Sequence, residues 1–396
     1  MYTYREPLSS VQQLLILAVK DGRSREESDT ISRLYQEIGD ETVWQAAVKN
    51  KVESVVAHSL LEVMGISGLP PRWNERHETN ARKTTQYLNE IDNLALFLDK
   101  RNITVIAIEN GGVTYSVFPC PGCFASSDME ILVAREHLQE IHQYLLTIGY
   151  ERSSREGRQS DDKTRPDYDQ RGWSVYCKTL DVGQVFWLNV MWRPVLRRWV
   201  PIGKELNAVD LRKRSVNITI RDTKVRILSP EDNLLLCALH TASHSYVRGP
   251  GLRLQLDIDR IVRRTKINWN LFLERVNSHS VCVAVFPSLA IPRGLLGTPV
   301  PDWVLDALVP SERRQRMILD WIAQASVFDR GGKRFGRHKF LLFESLLCDD
   351  GQVSGLVYAI FPPSSWMREG YGFRSNVLLP YYYGVRLADL ARRRPV

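Results

Sequence analysis

Two acidic residues two positions apart, in Asp128-Met129-Glu130, are the first whose types and spacing suggest chemistry. Side chains alternate along a β-strand with a period of two, so both carboxylates would share one face. Like charges side by side repel, and a cation between them would relieve that repulsion. An all-oxygen pair suits Mg²⁺, which is commonly shared with substrate phosphates. The plain alternative is an edge strand facing water. Upstream, Asn110-Gly111-Gly112 follows a β-branched run. Glycines there let backbone approach a ligand closely and let helix N-terminal amides meet phosphate, although strand-to-helix turns also use glycine for geometry. Downstream, Asn189 stands among bulky apolar neighbours in Trp187-Leu188-Asn189-Val190-Met191. A polar residue in such a strand points into a polar site or is hydrogen-bonded internally.

His240 and His244 are four apart on one helix face. No glutamate completes a zinc-protease motif between them. They either line a cleft or are ordinary buried histidines. Cys120 and Cys123, in Pro119-Cys120-Pro121-Gly122-Cys123, read as a turn. A structural zinc site would want a second pair or histidines at matching spacing, and none follows. A redox pair would open a helix, which the prolines and glycine here oppose.

The elements that must position these residues form three stretches. Residues 1–100 read as helical, with Val11, Leu14, Leu15, Ala18 and Val19 at helical spacing and a long helix from about Trp73 to Lys100 after Pro70-Pro71. Residues 101–228 change character: Thr104–Ile108 is a buried strand, Val113–Val117 a short helix, and Ser127–Val133 a second strand. An amphipathic helix over 135–148 follows, then a polar loop over 151–172. Ser174–Leu180 and Val185–Trp192 make a hairpin around Asp181-Val182-Gly183-Gln184, and Ile218–Ile220 with Val225–Leu228 a second one around Arg221-Asp222-Thr223-Lys224. Residues 229–396 are mainly helical, opened by the cap Ser229, the first-turn Pro230 and the acidic Glu231 and Asp232. Helices are expected near 230–247, 252–264, 269–285 and 302–327. Asp257 and Asp259 are expected to pair with Arg253, Arg260 or Arg263. The fold class is therefore α+β, and residues 103–192 form a compact module fit to hold a metal-bound nucleotide.

The net charge of +8 over 396 residues invites a nucleic-acid reading. The arginines are scattered, the densest run being Arg392-Arg393-Arg394, and no groove-reading motif accompanies them, so nucleic acid is not the expected partner. Six cysteines in so long a chain do not make a disulfide scaffold. The opening residues lack a signal-peptide layout and no apolar run approaches the ~20 residues of a membrane helix, so the expected location is cytoplasmic, with no membrane partner.

The combination of strand, Gly-Gly, acidic strand and polar hairpin position resembles the arrangement of polymerase-β-type nucleotidyltransferase folds. More narrowly, the chain resembles the family of uncharacterised bacterial nucleotidyltransferases. The resemblance is carried by Asn110-Gly111, by Phe124 through Asp128-Met129-Glu130-Ile131-Leu132-Val133, and by Asn189-Val190-Met191-Trp192. It continues in Leu228-Ser229-Pro230-Glu231-Asp232-Asn233-Leu234-Leu235, in His240 with His244, and in Leu254-Gln255-Leu256-Asp257-Ile258, and spans roughly residues 10–385. It implies a nucleotidyltransferase-like small mixed sheet with flanking helices, between helical N- and C-terminal regions.

It also implies Mg²⁺ and ATP or another NTP as cofactors, Asp128 and Glu130 as metal ligands, and Asn110, Gly111 and Gly112 at the phosphates. Asp128, Glu130 and Asn189 occupy the catalytic positions, and His240 and His244 become cleft candidates. The departures from the family pattern are as informative. Asn110 stands where the family has lysine, Phe124 where it has arginine, Asn189 where it has the third carboxylate, and Met191 where it has histidine. That third carboxylate helps bind the second metal and draws the proton from the attacking hydroxyl, and a neutral amide does neither well. Three readings follow: transfer of a nucleotidyl group to a small molecule or peptide, impaired at the third carboxylate; a catalytically inactive accessory factor; or different chemistry in the old cleft, as in natural-product biosynthesis.

Overall fold

A computed structural model describes the chain except for residues 1–3, 6, 119, 125–127, 154–171, 181–182, 195–199, 202–203, 221–222, 249–250, 329–341, 352, 355–356, 358–359, 374 and 393–396. The chain opens with helices α1 (Ser10–Val19), α2 (Arg25–Ile38), α3 (Asp40–Lys49), α4 (Glu53–Met64) and the long α5 (Pro71–Asp99). Ser9 and Ser24 start α1 and α2 through reciprocal capping boxes with Gln12 and Glu27, and Pro71 occupies the first position of α5, where its missing N–H costs nothing.

The centre is a mixed seven-stranded sheet of order β3-β4-β5-β2-β1-β7-β6, and the fold is α+β. Its strands are β1 (Ile106–Ile108), β2 (Asp128–Leu132), β3 (Glu151–Ser153), β4 (Trp173–Thr179), β5 (Val185–Met191), β6 (Val216–Ile220) and β7 (Thr223–Ile227). The acidic strand β2 is thus central, antiparallel to β1 and parallel to β5, which removes the edge-strand alternative. Met129 to Leu132 are buried along it.

One expectation needs correction at the sheet. The stretch read as polar loop from 151 begins with β3, whose three residues pair with β4 through Glu151–Cys177, Arg152–Tyr176 and Ser153–Val175; the rest of it, 154–171, lies outside the described residues. The expected second hairpin forms, β6 and β7 pairing antiparallel, and β7 also joins the main sheet parallel to β1. The turn residues Asp181, Val182, Arg221 and Asp222 also lie outside the described residues.

Between β1 and β2 comes α6 (Glu109–Val117), and after β2 comes α7 (Leu138–Thr147). A short helix not expected from the sequence, α8 (Ala208–Arg214), precedes β6. Ser229 accepts the Asp232 N–H and starts α9 (Pro230–Ser243), followed by α10 (Gly251–Arg264). The expected helix over 269–285 is two, α11 (Trp269–Ser278) and α12 (Cys282–Leu296), broken where Ser280 takes a left-handed φ of 51°. Likewise 302–327 divides into α13 (Asp302–Leu308) and α14 (Glu312–Ala325), with Pro310 in the break. Asp257 and Asp259 pair as expected: Arg253 contacts Asp257, and Arg260 and Arg263 reach Asp259 at 3.0 and 2.8 Å. One apolar cluster runs from Tyr4 and Leu14 through Ile106 and Met129 to Phe286 and Phe343, so the N-terminal helices, the sheet and the C-terminal helices share a core. Among the described residues, no helix is long and apolar enough to cross a membrane.

Candidate active site

Strand register builds the site. Glu130 is aligned with Ile108 of β1 on one side and Asn189 of β5 on the other, while Asp128 is aligned with Trp187. Residues aligned across a sheet project to the same face, so Asp128, Glu130, Trp187 and Asn189 stand together. The Asn189 Nδ2 donates to Glu130 Oε1 at 3.1 Å and to Asp128 Oδ2 at 3.4 Å. From the start of α6, the Asn110 backbone N–H donates to Glu130 Oε2 at 3.2 Å. Its side-chain amide reaches Glu130 Oε1 at 3.4 Å and Asp128 Oδ1 at 3.5 Å. Both carboxylates therefore face the Asn110-Gly111-Gly112 segment.

The glycines sit inside the first turn of α6 rather than in a loop ahead of it. A Cβ on Gly111 would lie 3.0 Å from the Glu130 carbonyl oxygen, and one on Gly112 3.0 Å from that of Ala107. Glycine here lets the helix lie against β1 and β2 at a separation that a side chain would prevent. The turn into α6 is tight: Glu109, at its first position, has a φ of 46°.

Glu130 is 4% exposed. Burial, then the charges of Asp128 and Glu109, push its carboxyl well above the usual carboxylate range, and the donors from Asn189 and Asn110 offset only part of this. The structure also brings in groups that sequence reasoning did not single out. Glu109 Oε2 lies 2.7 Å from His240 Nδ1, and the His240 and His244 rings pack with centroids 4.8 Å apart. His240 acts electrostatically on Asp257 of α10. The half-buried Lys83 of α5 lies within electrostatic reach of Asp128, its pKa lowered by burial. The Arg253 guanidinium sits 5.0 Å over the ring of the buried Phe124. A cation thus approaches the carboxylates from α5, while Arg253 of α10 is engaged by Asp257 and stacks on Phe124. Glu109 adjoins Asn110 in sequence and could have been suspected from that alone; Lys83 sits in a helix whose patterning says nothing about the sheet.

The model of the uncharacterised nucleotidyltransferase family matches residues 36–297, well over half of the chain. The chain belongs to that family. Comparison with curated proteins finds no match. Among solved structures, the chain is similar to an antigenic nucleotidyltransferase-like protein from Paracoccidioides brasiliensis at 14% identity and a TM-score of 0.34; the match covers 55% of this chain and 95% of that one. The family match takes in every residue of the site from Lys83 to Asp257. Membership in a nucleotidyltransferase family goes with a nucleoside triphosphate and a divalent metal in general.

Proposed function

We propose that this nucleotidyltransferase-like protein binds a magnesium-complexed nucleoside triphosphate, ATP among them, at Asp128 and Glu130 and transfers the nucleotidyl group weakly, to a small molecule or peptide in the cytoplasm. The observation that carries the reading is the gathering of Asp128, Glu130 and Asn189 on one face of adjacent central strands, turned toward the start of α6. The donor set fits the ion: two carboxylates, hard oxygens only, with Glu130 held against ionisation by burial and by neighbouring negative charge that a cation would neutralise. Held by Asp128 and Glu130, Mg²⁺ would supply positive charge against the negative charge of the triphosphate. Gly111 and Gly112 keep side chains away from the backbone at the head of α6, and Lys83 places positive charge within electrostatic reach of Asp128. Asn189 orients the carboxylates through its amide but is a poor proton acceptor.

A repurposed site is the second reading, favoured by one contact. Glu109 and His240, 2.7 Å apart, form a carboxylate–imidazole pair able to accept a proton, as Asn189 is not. Trp187, beside Asp128, would suit an apolar acceptor such as natural-product biosynthesis uses, whereas Phe124 is buried beneath Arg253. An accessory protein that binds the nucleotide without turning it over would retain the carboxylates and need neither group.

Calorimetry with ATP, with and without Mg²⁺, tests the binding. Mg²⁺-dependent binding is expected, and Asp128→Asn combined with Glu130→Gln should weaken it by at least about a hundredfold, about 2.7 kcal/mol. Unchanged affinity in that double variant would overturn the metal assignment.

A further inference from the structure

We infer that His58, His77, Cys120 and Cys123 form a tetrahedral zinc site of the Cys2His2 type, separate from the carboxylate site. The sequence offers no histidine at matching spacing after the cysteine pair, but the fold supplies two from before it. His58 lies on α4 and His77 on α5, and these helices pack against each other and against the short 3-10 turn Pro121–Cys123. One ligand atom from each of the four side chains lies within 4.8 Å of all the others. Tetrahedral zinc, with bonds of about 2.3 Å to sulfur and about 2.0 Å to nitrogen, sets its ligand atoms about 3.3–3.8 Å apart, so a contraction of at most about 1.5 Å seats the ion. His77 Nε2 is already 3.2 Å from Cys120 Sγ, and the two imidazoles stack with centroids 5.3 Å apart at 21°.

The surroundings are those of a built site. A Cβ on Gly122 would lie 2.4 Å from His77 Nε2, so only glycine lets that imidazole reach the cysteines. Asn80 donates to the Gly122 and Phe124 carbonyls at 3.0 and 2.5 Å, and Thr84 to the Phe124 carbonyl at 3.2 Å, fastening the turn to α5. Glu62 Oε1 lies 3.1 Å from His58 Nε2, the outer carboxylate that commonly orients a ligating imidazole and leaves its other nitrogen for the metal. A cleft of about 560 Å³, lined among others by His58, Cys120, Cys123 and Glu62, gives an ion a path from solvent. Two thiolates and two neutral imidazoles balance the charge of Zn²⁺, and the mixed sulfur and nitrogen set suits it better than Mg²⁺ or Ca²⁺. Thiols bound this way lose their protons to solvent, and no redox change occurs.

The ion would join α4 and α5 to the turn that leads into β2, five residues before Asp128. The site is independent of any reading of the carboxylates. The test uses the full chain purified under reducing conditions. Elemental analysis should find about one zinc per chain that survives gel filtration. Replacement by cobalt should give the charge-transfer and visible bands of a tetrahedral cobalt thiolate, and Cys120 and Cys123 should resist alkylation until a chelator is added. Cys120→Ser and His77→Ala should each lower zinc affinity at least tenfold. A fully reduced wild-type chain that takes up neither zinc nor cobalt would overturn the inference, as would a Cys120–Cys123 disulfide persisting under reductant. Full zinc retention by Cys120→Ser combined with Cys123→Ser would do the same. The cobalt and alkylation readings need no variant, so a variant that misfolds does not decide the matter.

Discussion

The carboxylate site at the sheet centre and the cysteine–histidine cluster beside it answer their charge in opposite ways. Asp128 and Glu130 are met by amide donors from Asn110 and Asn189, and Glu130 is further disposed to keep its proton by burial. A cation entering there would compete with donors and with a proton, and two carboxylates alone would leave most of its octahedron to water or phosphate oxygens. The cluster instead holds four side-chain ligand atoms facing one another, enough for a closed tetrahedron. The same protein should therefore carry one metal as a resident and meet the other only in company with a nucleotide.

The largest effect that could break this contrast is on stability. If free zinc exceeds its dissociation constant a thousandfold, stripping it should cost about 4 kcal/mol, measured by urea unfolding before and after chelation. Removing Mg²⁺ from the nucleotide-free protein should change the same curve little. Equal losses in the two experiments would erase the distinction between a resident ion and a shared one.

Next in size is the change that restores a carboxylate at the third position. Asn189→Asp should raise nucleotidyl transfer by about a hundredfold or more, in keeping with a positioned general base. A product assay with radiolabelled ATP and a panel of small-molecule and peptide acceptors checks it. No gain would favour the Glu109–His240 pair as the proton acceptor, or a protein that only binds.

Gly122→Ala separates the regions from the other side. Its Cβ would fall 2.4 Å from His77 Nε2, displacing that ligand. Zinc affinity should fall about 10- to 100-fold, as for loss of a group that orients a metal ligand, with Mg²⁺-dependent ATP binding changed less. Competition with a chromophoric chelator reads the first, calorimetry the second. An unaltered zinc affinity would mean that His77 is not a ligand.

The contrast also explains what the sequence could reveal. Asp128 and Glu130 are two residues apart on one strand, and a period of two is enough to place them on one face. The Gly-Gly segment and Asn189 carry local signatures too, and the capping pattern at Ser229 predicts the start of α9. The cysteine cluster has no such signature. His77 lies 43 residues before Cys120, and only the packing of α4 on α5 and of both on the turn brings the ligands together. A search for histidines after the cysteines could not find ligands that precede them. Lys83 was hidden for the same reason, since helix periodicity tells which face is apolar but not which distant strand it covers. The split of the helix expected over 269–285 was equally illegible, because its apolar spacing runs on through Ser280 while the backbone does not.

The smallest expected effect bears on the carboxylate site alone and follows from the raised pKa of Glu130. In the unfolded chain this carboxyl titrates near 4.5; in the fold it holds its proton to higher pH, through burial first and then the charges of Asp128 and Glu109. Its contribution to stability is fully present below the unfolded value and is lost as pH rises through the folded one, because only the unfolded chain then gains by releasing the proton. With metal removed, stability should decline upward from about pH 4.5 by at most about 1.4 kcal/mol per pH unit from this group, about 2 °C in Tm for a chain of this length. Glu130→Gln keeps the hydrogen-bonding shape without the titration, so its difference from wild type should grow across that window in favour of the variant. Parallel melting curves for the two proteins across the window would show that Glu130 is as readily ionised in the fold as in the unfolded chain. The amides of Asn110 and Asn189 would then balance the carboxylates unaided, and the site would have no need of a cation.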